Sequence, residues 1–184
     1  MVKNKPHDIG TLSPEMALLG LLYEAPGYGY KLHRQVVADL GYVWHLSQSQ
    51  AYSILKRLEA HGDISMEELP QKKLPARQLM RMTPQGISRF LDWLNSPSRG
   101  SNRAIRLEFI SRLYFLRLYM PEKIPLAFDQ QRLEAGTRLQ QLTETLAELP
   151  EEQIFNRMSV DLRIGQLQTI LKWLDKSQKY FQHK

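Results

Sequence analysis

The chain has 184 residues, 42% of them hydrophobic, with a net charge of +6 and no cysteine. That length accommodates one domain or two small ones, and the missing cysteines exclude disulfides, thiolate metal sites and cysteine nucleophiles. Met1 to Gly10 is polar, with no apolar leader core. No run approaches the ~18 consecutive apolar residues of a membrane span, so a cytoplasmic location is expected.

The first helix is announced by Ser13-Pro14, an N-cap followed by proline at the first helical position. It is predicted to run to about Glu24, with Met16, Leu19 and Leu22 inward, and to stop at Pro26-Gly27. Tyr28-Gly29-Tyr30-Lys31-Leu32 opens a second helix through Val36, Val37 and Leu40, closed by Gly41 as a C-terminal glycine. A turn to Leu46 leads into a helix ending near Gly62, within which Ser47 to Glu59 is the most informative stretch of the chain. Ser47 and Gln50 have the spacing of a capping box. Ala51, Ile54, Leu55 and Leu58 fall on one face at about 100° per residue. Ser49, Gln50, Ser53, Lys56 and Arg57 fall on the other. Short hydrogen-bonding groups near a helix N-terminus, followed by cations, suit a DNA recognition helix: amides and hydroxyls reach base edges, and cations meet phosphate.

Two short runs with period-two alternation follow, Ile64 with Met66 and Met80 with Met82. Between them lies a proline-bounded basic tip, residues 70–77, carrying Lys72, Lys73 and Arg77. Thr83-Pro84 caps a fourth helix, Gln85 to Leu94. Three helices, a strand, a basic tip, a strand and a helix are the order of a winged helix-turn-helix domain. The net charge alone does not locate a binding domain, being +2 over residues 1–97 and +4 over 98–184. Local clustering on the recognition helix and the tip does.

Asn95-Ser96-Pro97-Ser98-Arg99-Gly100-Ser101-Asn102 is a linker by composition. Ile105 to Tyr119 is apolar on most sides, which implies burial on more than one face. After Pro121, Ala135, Leu139, Leu142, Leu146 and Leu149 repeat at alternating spacings of four and three. Val160, Ile164, Leu167, Leu171 and Leu174 do the same after Pro150. Two such seams joined by a short turn predict an antiparallel coiled-coil pair. The fold expected is thus mainly α with a small β wing: a winged helix-turn-helix domain at 8–97 and a helical dimerisation domain at 101–184.

These residues resemble the PadR-type transcriptional regulators, particularly the branch of AphA-like virulence activators. Leu18-Leu19-Gly20-Leu21-Leu22 lies in the first helix and Gly27-Tyr28-Gly29-Tyr30-Lys31-Leu32 enters the second. Gly41-Tyr42-Val43-Trp44 precedes the recognition helix, which holds Tyr52 and Leu55-Lys56-Arg57-Leu58-Glu59. Met82-Thr83-Pro84-Gln85-Gly86 starts the fourth helix. Leu107-Glu108-Phe109 and Trp173-Leu174 look like the helical dimerisation domain of that branch. The chain departs from the family at the wing, where Lys73-Leu74-Pro75-Ala76-Arg77 replaces a more basic run and Met80 replaces a tyrosine. The resemblance implies a homodimer that binds double-stranded DNA and regulates transcription. It leaves open a small-molecule effector of unassigned identity.

The expected DNA contacts are Ser47, Gln48, Ser49, Gln50, Tyr52, Ser53, Lys56 and Arg57 on the recognition helix (47–62), with Lys72, Lys73 and Arg77 on the wing (70–77). Trp44 and Tyr42 are expected as core plugs beneath that helix. Phe109, Tyr114, Phe115 and Tyr119 are expected in the dimer interface. The five histidines show no metal-ligand spacing, the serines have no catalytic partner, and Gly27-Tyr28-Gly29 lacks the preceding strand of a phosphate-binding loop. No metal, cofactor or enzymatic activity is expected. The competing reading is a winged-helix scaffold for protein partners, which would place exposed apolar residues where Ser49, Gln50, Ser53, Lys56 and Arg57 stand.

Overall fold

The computed structural model describes residues 13–70, 77–98 and 101–181, which divide into two compact units at Trp93 and Leu94. In the first unit the elements run α1 (Glu15–Leu21), β1 (Gly27–Tyr28), α2 (Gly29–Leu40), α3 (Gln48–Ala60), β2 (Ile64–Leu69), β3 (Arg77–Met82) and α4 (Pro84–Asn95), the last reaching into the second unit. Leu18 and Leu19 of α1, Leu32 and Val36 of α2, and Ala51, Leu55 and Leu58 of α3 form the core with Ile64, Met80 and Phe90. Each such large side chain contributes about 1.5–3 kcal/mol by leaving water. The sheet is antiparallel in the order β1-β3-β2, with Ile64 opposite Met82 and Met66 opposite Met80. That register puts the alternating apolar residues of both long strands on the helix side. β1 falls where the sequence predicts only a helix start: two residues pair with Leu79 and Met80 before α2 begins.

The ends of α1 and α2 differ from expectation. The carbonyl of Pro14, not Ser13, accepts the first helical bond, from the Leu18 amide at 3.1 Å, and no side chain caps the helix. The helix also closes at Leu21, three residues early. Gly41 is right-handed, at φ −62°, because the chain continues turning while the Leu40 carbonyl accepts from both Val43 and Trp44. At about 100° per residue that turn carries Tyr42 to the side opposite Leu40 and brings Trp44 back beside it. Tyr42 is therefore 98% exposed, against the expected core role, whereas Trp44 is buried. Gly62, at φ +78°, ends the following helix in the left-handed conformation that glycine adopts without penalty.

The second unit contains α5 (Asn102–Ala104), which passes through a π-helical turn (Ile105–Phe109) into α6 (Ile110–Tyr119), then α7 (Ile124–Glu148) and α8 (Ile154–Gln178). Arg132 on α7 donates to Asp175 at 2.9 Å, and Arg157 on α8 donates to the Leu146 carbonyl at 3.1 Å. Early α7 meets late α8 and the reverse, so the pair is antiparallel. Ala135 and Leu142 of α7 and Ile164, Leu167 and Leu174 of α8 are buried. Phe109 and Phe115 are fully buried within this single unit, Phe109 edge-on to Phe128 at 5.3 Å. They cannot form the interface expected of them, because one protomer already encloses them. Nor is the Asn95–Asn102 stretch wholly a solvated linker. Ser98 is buried: its amide donates to Gln131 Oε1 at 2.8 Å and its hydroxyl accepts from Arg112 Nη1 at 2.9 Å. Burial pulls the Arg112 guanidinium down to about 10, with Glu108 opposing, so it keeps its charge at neutral pH.

Candidate nucleic-acid interface

The capping box sets the start of α3. The Gln50 amide donates to Ser47 Oγ at 3.3 Å, and the Ser47 amide donates to Gln50 Oε1 at 2.9 Å. With the N-terminal amides satisfied, the helix turns its apolar stripe inward and leaves Gln48, Ser49, Gln50, Ser53, Lys56 and Arg57 exposed. The cap also constrains what these groups can offer. Gln50 Oε1 is occupied, so the side chain presents the two donors of its amide nitrogen outward. Ser53 donates to the Ser49 carbonyl at 3.0 Å, which leaves its lone pairs as acceptors. Ser49 and Ser47 share a hydroxyl contact at 3.1 Å. The face thus carries directional donors and acceptors on short side chains, on a convex helix with no large apolar group exposed among them.

Two members of the expected set have structural duties. Tyr52 is half-buried, with its ring against α2: a Cβ on Gly29 would lie 2.9 Å from it. This contact seats α3 on α2 and requires glycine at position 29. Arg57 donates from Nη2 to Glu15 Oε1 at 3.0 Å, and Arg89 donates from Nη2 to Glu15 Oε2 at 2.9 Å. Arg89 also pairs with Asp63, whose side chain is 1% exposed. A chain of alternating charge therefore ties α3 to α1, α4 and the turn before β2. Sequence patterning gives no sign of it, because its partners stand 42 and 74 positions from Glu15.

On the wing, the Arg77 guanidinium sits over the Tyr28 ring at 5.8 Å from its centroid, with Lys31 also 5.8 Å away. Arg81 pairs with Glu67 at 3.7 Å. Lys72 and Lys73 lie outside the described residues. A groove of about 620 Å³ opens beside α3, lined by Ser13, Glu15, Trp44, Ser49, Ser53 and Arg57 among others. Among the described residues no group of three or more metal-ligating side chains comes together, and no helix is long and apolar enough to cross a membrane.

A helix-turn-helix pair, α2 and α3, followed by the β2–β3 wing and α4, defines a winged helix-turn-helix domain. Residues 18–91 match the model of the transcriptional regulator PadR-like family. The negative transcriptional regulator PadR of Bacillus subtilis is 25% identical over 126 residues, covering 68% of this chain and 69% of that one. Similar solved structures include Bacillus subtilis PadR in complex with operator DNA, at 21% identity and a TM-score of 0.45, covering 91% of this chain and 98% of that one. The Vibrio cholerae virulence activator AphA is another, at 20% identity and a TM-score of 0.39, covering 89% and 95%. The matched stretch, from Leu18 in α1 to Leu91 in α4, is a PadR-like transcriptional-regulator domain.

Proposed function

We propose that the chain acts in the cytoplasm as a homodimer that binds double-stranded DNA sequence-specifically, with residues 8–97 as the DNA-binding domain and 101–184 as the dimerisation domain. One observation carries the reading. The exposed face of α3 presents Gln50 Nε2, the Ser49 and Ser53 hydroxyls and Lys56 on a helix whose opposite face is fully committed to the core. In the major groove such a helix reads base edges through its first two turns, while cations on either side meet phosphate. Gln48 and Ser47 flank the entry, and Lys72, Lys73 and Arg77 would reach the adjacent backbone from the wing. The role is regulatory, not catalytic. A protein-docking scaffold fits less well, because large apolar side chains are missing from the outer face of α3.

Dimerisation is assigned to α8. Phe155, Met158 and Leu162 are 86%, 63% and 64% exposed. Their spacing of three and four places them on one stripe, roughly opposite Ile164, Leu167 and Leu174. Gly165 continues the stripe with open space above it, which lets a second backbone approach closely.

Gln50 provides the test of readout. Replacing it by alanine is expected to cost roughly 1–3 kcal/mol at one base-pair position and to relax the preference there. The residual Ser47 cap limits the stability loss to about 1 kcal/mol. Quantitative binding to a panel of single-base operator variants separates the outcomes. An equal loss on every sequence would make Gln50 a positioning group.

A further inference from the structure

Resting on the DNA-binding reading, we propose that Glu15 is a specificity-determining residue: it holds Arg57 away from phosphate and so suppresses binding to random DNA. Glu15 stands at the start of α1, its side chain only 15% exposed, with one carboxylate oxygen accepting from Arg57 and the other from Arg89. Arg89 has Asp63 as a second anchor. Two acids and two arginines make a neutral cluster, so the Arg57 side chain, 54% exposed on the outer face of α3, brings no net charge to that end of the helix.

The geometry makes Arg57 the displaceable member. Arg89 is half-enclosed and held by two carboxylates, whereas Arg57 is the more exposed cation and has Glu15 as its acid partner. A phosphate can draw Arg57 off only by leaving a carboxylate on the wall of the groove that the DNA must approach. Base-reading groups are untouched by this competition, because Gln50 and Ser53 are bonded within α3 itself. Random DNA, bound through phosphate alone, bears the whole penalty. Operator DNA, held in register by base contacts, leaves Arg57 on Glu15 and escapes the penalty, so the pair widens the ratio between the two.

The full-length chain and its Glu15→Gln, Arg57→Ala and doubly substituted variants test this with a random-sequence duplex and with heparin resin, each variant checked by thermal melting. Glu15→Gln is expected to tighten random-DNA binding roughly fivefold per protomer at 0.1 M salt and to steepen the salt slope by about 0.9 per added phosphate contact. Adding Arg57→Ala should abolish that gain. Arg57→Ala alone leaves the cluster with a net charge of −1, still held by Arg89, so random-DNA affinity should fall only modestly, by about twofold. This arm decides the matter even if Glu15→Gln does not fold. Heparin elution should follow the same order without reference to DNA. Parent protein that binds no duplex, with Glu15→Gln still eluting later from heparin, would overturn the DNA reading and keep the charge competition. A Glu15→Gln gain that persists without Arg57, or a fivefold loss from Arg57→Ala alone, overturns the proposal.

Discussion

Replacing Phe155 and Met158 together by glutamate is expected to turn the proposed dimer into a folded monomer that binds a palindromic operator at least a hundredfold more weakly. Both side chains lie on the face of α8 turned away from the α7 seam, and both are largely exposed within one protomer. Their removal therefore takes nothing from the protomer's own core. In a two-fold interface each residue is buried twice, so four apolar side chains are lost. At about 2 kcal/mol each, the upper bound is roughly 8 kcal/mol of association energy, several decades in dimer Kd. Four new carboxylates add repulsion. A monomer holds one half-site, and the energy of the second is lost with the partner. Light scattering at micromolar concentration, circular dichroism and operator titration together check the claim. A variant that stays dimeric places the interface elsewhere on the helical unit.

The largest effect on stability is expected from Gly86→Ala. Helix propensity taken alone favours alanine over glycine by about 1 kcal/mol within α4. Tertiary geometry opposes it more strongly. A Cβ at position 86 would lie 2.0 Å from the Asp63 carbonyl oxygen. That oxygen also accepts from the Thr83 amide at 3.0 Å and the Thr83 hydroxyl at 3.1 Å, while Thr83 Oγ1 accepts from the Gly86 amide at 3.1 Å. Relief requires the start of α4 to move away and to break the contacts that anchor it to the turn before β2. Overpacking of about 3 kcal/mol together with one or two weakened hydrogen bonds outweighs the propensity gain. A net loss of roughly 3 kcal/mol lowers the melting temperature of this unit by about 15 °C. An unchanged or raised melting temperature would mean that α4 can shift without cost.

Much of the first unit is legible because its signals are local. The Ser47–Gln50 cap, the stripe of Ala51, Ile54, Leu55 and Leu58, and the alternation that pairs Met66 with Met80 all rest on spacings within one element. Features set by tertiary contact are not legible in this way. Phe109 and Phe155 are the same residue type on apolar helices, yet one is 1% and the other 86% exposed. Only the position of α7 and α8 decides which is enclosed. Tyr42 and Trp44 differ by two residues in a turn, and one continued right-handed step separates a solvated ring from a buried one. The Glu15, Arg57, Arg89 and Asp63 chain joins four separate segments and has no periodicity to betray it. For the candidate interface, sequence patterning supplies the side chains. The structure adds which of their donors and acceptors are already engaged, as at Gln50, Ser53 and Arg57.

The central claim is tested most directly by selecting fragments of the source genome on the full-length protein and titrating the enriched fragments against random duplex over a range of salt. Selected fragments should share an inverted repeat whose half-sites lie about one helical turn apart, ~34–36 Å. They should bind at least about a thousandfold more tightly than random DNA, with log K falling linearly in log salt for both. Fragments with no common sequence, bound no more tightly than random duplex at any salt, would contradict sequence-specific recognition by this fold.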